Sequence, residues 1–148
     1  MKRACEIRPA GGWQEQAAID QVFLNSDERF RRRMLLTSER RVTFLLDLPR
    51  AMLLREGDGL VLEDGSIVRV IAKPEPLVEI SAANEQEVAR LAWHLGNRHT
   101  DLQIVGAKLR IRRDHVLEAM LRGLGATITE IEAPFHPEGG AYEQHDHE

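Results

Sequence analysis

The chain has 148 residues, 43% hydrophobic and 30% charged, with a formal net charge of -4 at pH 7. That length allows one ordinary domain or two small ones with a real core, and the mildly acidic balance argues against a dedicated nucleic-acid binder. Cys5 is the only cysteine, which excludes an intrachain disulfide and a thiolate metal cluster.

The start, Met1 to Glu6, has no apolar signal core, and no later run approaches membrane-spanning length. The expectation is a cytoplasmic protein with no membrane contact. Residues through Ala18 are weakly patterned, and Gly11-Gly12 interrupts any element there. Ile19 to Phe23 reads as a short strand or turn, ended by Asn25-Ser26-Asp27. Arg29, Arg31, Arg32, Arg33, Arg40 and Arg41 bracket Met34-Leu35-Leu36, with only Phe30 available to stack on a base. This run reads as a solvated strand face or a surface for an acidic partner. Val42 to Leu48 predicts a buried strand stopped by Pro49. Asp64-Gly65, between Leu60 to Glu63 and Ser66 to Ile71, predicts a tight hairpin with positive φ at both central residues. No Lys-Ser or Lys-Thr follows the nearby glycines, so they are turns and not a phosphate cradle. Residues 1–73 therefore read as a small all-β domain.

Lys73-Pro74-Glu75-Pro76 predicts a short stiff connector. Beyond it, Leu77 to Ser81 reads as a strand, and Asn84 caps a helix to Leu95 with Glu87 in capping-box position. Val88, Leu91, Ala92 and Leu95 form one apolar face, and Gly96-Asn97 is the stop signal. Leu102 to Val105 and Lys108 to Arg113 read as strands. Asp114 caps a second helix with Val116, Leu117, Met120, Leu121 and Leu124 on its apolar face. Gly125 ends it, and Ala126 to Ile131 is the last strand. The order β-α-β-β-α-β over 77–135 is the ferredoxin-like plan, giving an α+β protein with an N-terminal all-β domain. That plan serves many functions. RNA recognition by it needs aromatic residues on the central strands, and these have none.

The histidines are His94, His99, His115, His136, His145 and His147. His99 lies just past the helix end, where core packing does not consume its ring. His94 sits within the helix and diverges from it, so the two are not an intrachain metal pair. His115 opens the second helix and is a further ligand candidate, although an exposed first-turn residue explains it as well. His136 carries no pattern. Residues 136–148 read as a flexible tail, in which His145 and His147 flank Asp146 and can chelate one cation. No Gly-x-Ser-x-Gly elbow or His-Glu-x-x-His helix is present, so no catalytic machine is expected. Trp13 and Trp93 read as packing residues.

Several blocks together resemble a known family. They include Trp93-His94-Leu95-Gly96-Asn97-Arg98-His99-Thr100, Asp114-His115-Val116-Leu117-Glu118-Ala119-Met120-Leu121 and Pro137-Glu138-Gly139-Gly140-Ala141-Tyr142. In the first half, Arg31-Arg32-Arg33 and Phe44-Leu45-Leu46-Asp47-Leu48-Pro49 extend the match. The chain is similar to the E-type urease accessory proteins, nickel metallochaperones that are not enzymes. The resemblance implies a homodimer built through the ferredoxin-like halves, with the β halves outside as protein-binding modules. It implies Ni2+ bound by His99 at the dimer axis, further ligands from His145 and His147, and transfer to the urease apoprotein with an accessory GTPase. Two departures stand out. The tail is short, and Arg113 replaces a histidine that some members carry, which weakens a site at His115. The competing readings are a general zinc, copper or nickel buffer using the same histidines, and a metal-dependent hydrolase. The hydrolase lacks a carboxylate base at any recognisable spacing.

Overall fold

The chain divides between Lys73 and Pro74 into two units, in a computed structural model that describes residues 1–139. The fold is mixed α+β and mostly sheet, with two sheets and two helices among the described residues. No helix among them is long and apolar enough to cross a membrane.

The first unit holds β1 (Arg3–Arg8), a 3-10 turn (Glu15–Ala17), β2 (Ala18–Leu24), β3 (Phe30–Thr37), β4 (Thr43–Leu53), β5 (Gly59–Leu62) and β6 (Ile67–Ala72). They form one sheet in the order β2-β6-β5-β1-β4-β3. Alternation on β4 buries Phe44, Leu46 and Leu48 against Leu24, Leu60 and Val70. β1 has almost no apolar pattern because Ala4 is its only buried residue, yet it is an inner strand between β4 and β5. β4 does not stop at Pro49. Arg31 pairs with Met52 but Arg33 pairs with Asp47, so Pro49 falls inside a register shift where no ladder donor is required. The Asp64-Gly65 hairpin forms, but with a longer loop than expected. Only Gly65 has positive φ, at 87°, and its N–H donates to the Leu62 carbonyl at 2.9 Å. Trp13 is a packing residue. Its indole donates to the Gly57 carbonyl at 3.2 Å, and a Cβ on Gly59 would meet that ring at 2.9 Å.

The second unit runs β7 (Pro74–Ser81), α1 (Glu85–Asn97), β8 (Gln103–Val105), β9 (Lys108–Arg112), α2 (His115–Gly123) and β10 (Thr127–Pro134). The sheet order is β10-β7-β9-β8, antiparallel throughout. The proline pair is strand and not connector, with Pro74 opposite Pro134 and Pro76 opposite Glu132. β9 pairs with β7 only from Leu77 onward, so the prolines occupy a stretch with one neighbour, where a missing N–H is tolerated. Leu91 and Leu95 of α1 and Leu121 of α2 close over Val78, Ile80, Leu109 and Ile111. Each such leucine contributes about 1.5–3 kcal/mol through burial. The expected α2 face is narrower than its sequence suggests, because Val116 is 72% exposed.

Past Pro134 the chain passes from one edge of this sheet to the other. Phe135 is fully buried, with the Arg112 guanidinium 4.9 Å from its ring centroid. His136 N–H donates to Gln103 Oε1 at 3.2 Å, and Glu138 N–H donates to the Leu102 carbonyl at 2.7 Å.

Each unit has its own apolar cluster, and neither includes a histidine, cysteine or carboxylate that could ligate an ion. Thermal melts with and without a chelator should therefore nearly coincide. A chain that unfolds in chelator would show that metal is structural here.

Candidate metal centre

The ends of the two helices define the site. Asn84 accepts from Glu87 N–H at 2.9 Å, and Asp114 accepts from Val116 and Leu117 N–H at 2.9 and 3.0 Å, so both predicted N-caps are in place. At its other end α1 runs through Gly96 and Asn97, and the left-handed residue that ends it is His99, with φ 56°. His99 N–H donates to the Gly96 carbonyl at 3.0 Å and Thr100 N–H to the Leu95 carbonyl at 3.1 Å. Those two bonds make a Schellman motif with His99 in the place usually given to glycine. Helix α2 shows the usual choice. Gly125 has φ 91°, and its bonds to Arg122 and from Ala126 to Leu121 repeat the same pattern.

A side chain with a Cβ costs about 1 kcal/mol in the left-handed region, where histidine is found more often than most residues, and Arg41 also has positive φ, at 67°. The turn leaves His99 exposed at a cleft of about 360 Å3, lined also by Thr100, Asp101, Arg112, Arg113, Asp114 and Leu117. Arg112 holds Asp101 at 3.1 Å and Glu75 at 3.6 Å. Arg113 pairs with Glu130 and, at 3.2 Å, with Glu118. Glu118 is nearly inaccessible, and its carboxylate also accepts from Asp114 N–H at 2.8 Å. Burial alone would raise its pKa. The Arg113 guanidinium and the Asp114 amide outweigh that effect and hold the carboxyl below its ordinary value.

Of the expected ligands, His99 is at the cleft, while His115 is exposed on the first turn of α2 and is not among the lining residues. His145 and His147 lie outside the described residues. His94 is half-buried on α1, its ring edge-on to Trp93 at 5.0 Å. Trp93 is not a packing residue. It is 62% exposed. No three groups among His, Cys, Asp and Glu gather into a cation site among the described residues. Sequence reasoning did not place Asp101 and Arg112 at the cleft, because only the β8–β9 register brings them together there.

Comparison with known proteins identifies the family. The model of the UreE urease accessory protein N-terminal domain matches residues 4–73, and that of its C-terminal domain matches residues 75–148. The chain belongs to the UreE family. Its members are accessory metallochaperones for urease and not enzymes. The urease accessory protein UreE of Bradyrhizobium sp. (strain ORS 278) is 55% identical over 147 residues, which is 99% of this chain and 70% of that protein. UreE of Beijerinckia indica subsp. indica is 48% identical over 152 residues, covering 99% of this chain and 87% of the relative. UreE of Rhodobacter capsulatus is 46% identical over 142 residues, covering 96% and 87%.

Two outcomes follow. His99→Gly should stabilise the chain by about 0.5–1 kcal/mol in denaturant unfolding, because glycine relieves the left-handed turn. A variant no more stable than the parent would show that the turn carries no such cost. Glu118→Gln should destabilise by about 1–3 kcal/mol at neutral pH, since it removes a buried charge from two donors. The depressed pKa of Glu118 gives a contribution that is complete above about pH 4.3 and fades as pH falls through the lower folded value. Unfolding midpoints of parent and variant should therefore converge toward acid. A gap that stays constant below pH 4 would contradict the pairing.

Proposed function

We propose that this chain is a cytoplasmic homodimeric carrier that binds Ni2+ through histidines at its dimer interface and delivers it to the urease apoprotein. The observation that carries the reading is His99, an exposed imidazole held at backbone cost beside a cleft that supplies no second imidazole. One imidazole is too little for tight binding. A two-fold axis beside His99 pairs it with its own copy, so the second chain completes what the first lacks. Trp93 and Val116, exposed on the two helices of the same unit, supply apolar surface for such a contact.

In this reading the second unit is a ferredoxin-like module for dimerisation and metal binding, and residues 1–73 are an all-β module for protein partners. His145 and His147 add ligands, and His115 is at most a peripheral one. Imidazole is exchangeable and also accepts Zn2+ and Cu2+, so selectivity rests on supply and on the partners, the urease apoprotein and its accessory GTPase complex. The relatives' designation as urease accessory proteins favours nickel delivery over general metal buffering.

Calorimetric titration with nickel, with mass measured in solution, tests this directly. The tightest site should hold one Ni2+ per dimer, and His99→Ala should nearly abolish it while leaving the dimer intact. A chain ending at Gly139 should bind more weakly but keep a measurable site. If His99→Ala binds like the parent and the shortened chain binds none, the site is only the tail and the interface reading fails.

A further inference from the structure

In the first unit, β1 and β4 share a ladder only where they begin to run together. Arg3 pairs with Leu45 and Ala4 with Leu46. After that β1 stays with β5 as far as Arg8, and β4 stays with β3 as far as Leu53. Where the two strands have parted lies a cleft of about 280 Å3, lined by Ile7, Pro9, Met52, Leu53, Arg55 and Asp58. Ile7 and Met52 are half-buried and join this cleft to the core of the unit. Its volume is below the roughly 300–1,000 Å3 of small-molecule sites, so it suits a single apolar side chain and not a cofactor.

The lining is aliphatic and the charge beside it is positive. Asp58 is buried and commits both oxygens to backbone amides. Its Oδ1 accepts from Ala10 N–H at 2.9 Å and its Oδ2 from Arg55 N–H at 2.8 Å. Arg3, Arg8, Arg32 and Arg69 each hold a carboxylate, whereas the exposed Arg31 and Arg55 hold none among the described residues. Arg31 is the cross-strand partner of Met52, so the two side chains stand on one face, about 5 Å apart at Cβ. Unpaired guanidiniums beside an apolar notch select carboxylates that flank an apolar side chain. No aromatic ring lines the cleft to stack a base, which speaks against a nucleic acid here.

We propose that this cleft docks an extended acidic segment of a protein partner, seating a leucine-sized side chain where β1 and β4 part and neighbouring carboxylates on Arg31 and Arg55. The proposal rests on the reading that residues 1–73 meet protein partners, and it gives that contact a place and a chemistry. In an extended segment alternate side chains share a face, so the carboxylates stand two positions before and after the apolar residue. The arginines steer an acidic partner toward the unit, and the notch fixes its register. No group of the metal centre takes part, so docking does not require nickel.

The test titrates the full chain, without metal, into the capped and fluorophore-labelled peptide Ser-Asp-Thr-Leu-Thr-Asp-Ser and reads anisotropy. The parent should bind this peptide about tenfold more tightly than versions with lysine for aspartate or serine for leucine. Arg31→Glu with Arg55→Glu should lose the acidic peptide and prefer the lysine one, a reversal that a misfolded chain would not give. The site is refuted if the parent binds neither peptide or if the reversed chain keeps the acidic one. It is equally refuted if oligothymidylate binds more tightly than the peptide through the same arginines. Hydrogen exchange with and without the urease apoprotein separates this failure from that of the underlying reading. Protection is expected at Ile7 to Ala10 and at Met52 to Arg55. Protection elsewhere in residues 1–73 overturns the cleft alone, and none in that unit overturns the reading of it as a partner module.

Discussion

Leu95 is the residue on which the candidate site depends. Its side chain is fully buried in the core of the second unit, and its carbonyl accepts from both Arg98 and Thr100. One residue thus joins the packed helix face to the turn that leaves it. Each of those bonds contributes about 1 kcal/mol net, comparable to the cost of a left-handed histidine, so the turn holds without a glycine. The position of His99 is set by the core and not by its own side chain. A side chain placed in this way is oriented by packing and backbone bonds, which suits the carrier proposed above.

On the other flank of the cleft, Glu118 does comparable work at the start of α2. It fastens Arg113 and the Asp114 amide, while the Asp114 side chain caps the Val116 and Leu117 amides where the chain turns from β9 into the helix. The two helix termini meet the cleft from opposite chain directions, and each is braced by a buried group.

Much of this was legible in the residues. Asn84 and Asp114 are sterically simple caps, and the face of Val88, Leu91, Ala92 and Leu95 has the period of a helix packed on one side. Where reading failed, tertiary pairing had overruled a local signal. Pro49, Pro74 and Pro76 look like strand breakers, but a proline costs nothing where the neighbouring strand is absent or out of register. β1 has little apolar pattern because an inner strand is held by ladders on both sides as much as by side-chain burial. Gly96-Asn97 looks like the stop of α1, and the helix passes through both because the left-handed position falls at His99. The cleft itself was not legible beyond His99. Arg112 and Asp101 meet only through strand register, and the contacts of Gln103 and Glu138 span more than thirty positions in sequence.

The edges of the second sheet have a bearing on assembly. β8 is three residues long, and the N–H of Ile104 is already taken by Glu138. At the opposite edge β10 carries Glu130 and Glu132 and ends in Pro134. Short length, charge and proline are what keep a strand from recruiting a foreign one. Open-ended growth by strand addition, the route to fibres, is therefore closed off on both sides of this unit. Self-association is left to its other surfaces, where a contact can close on itself as a pair instead of propagating.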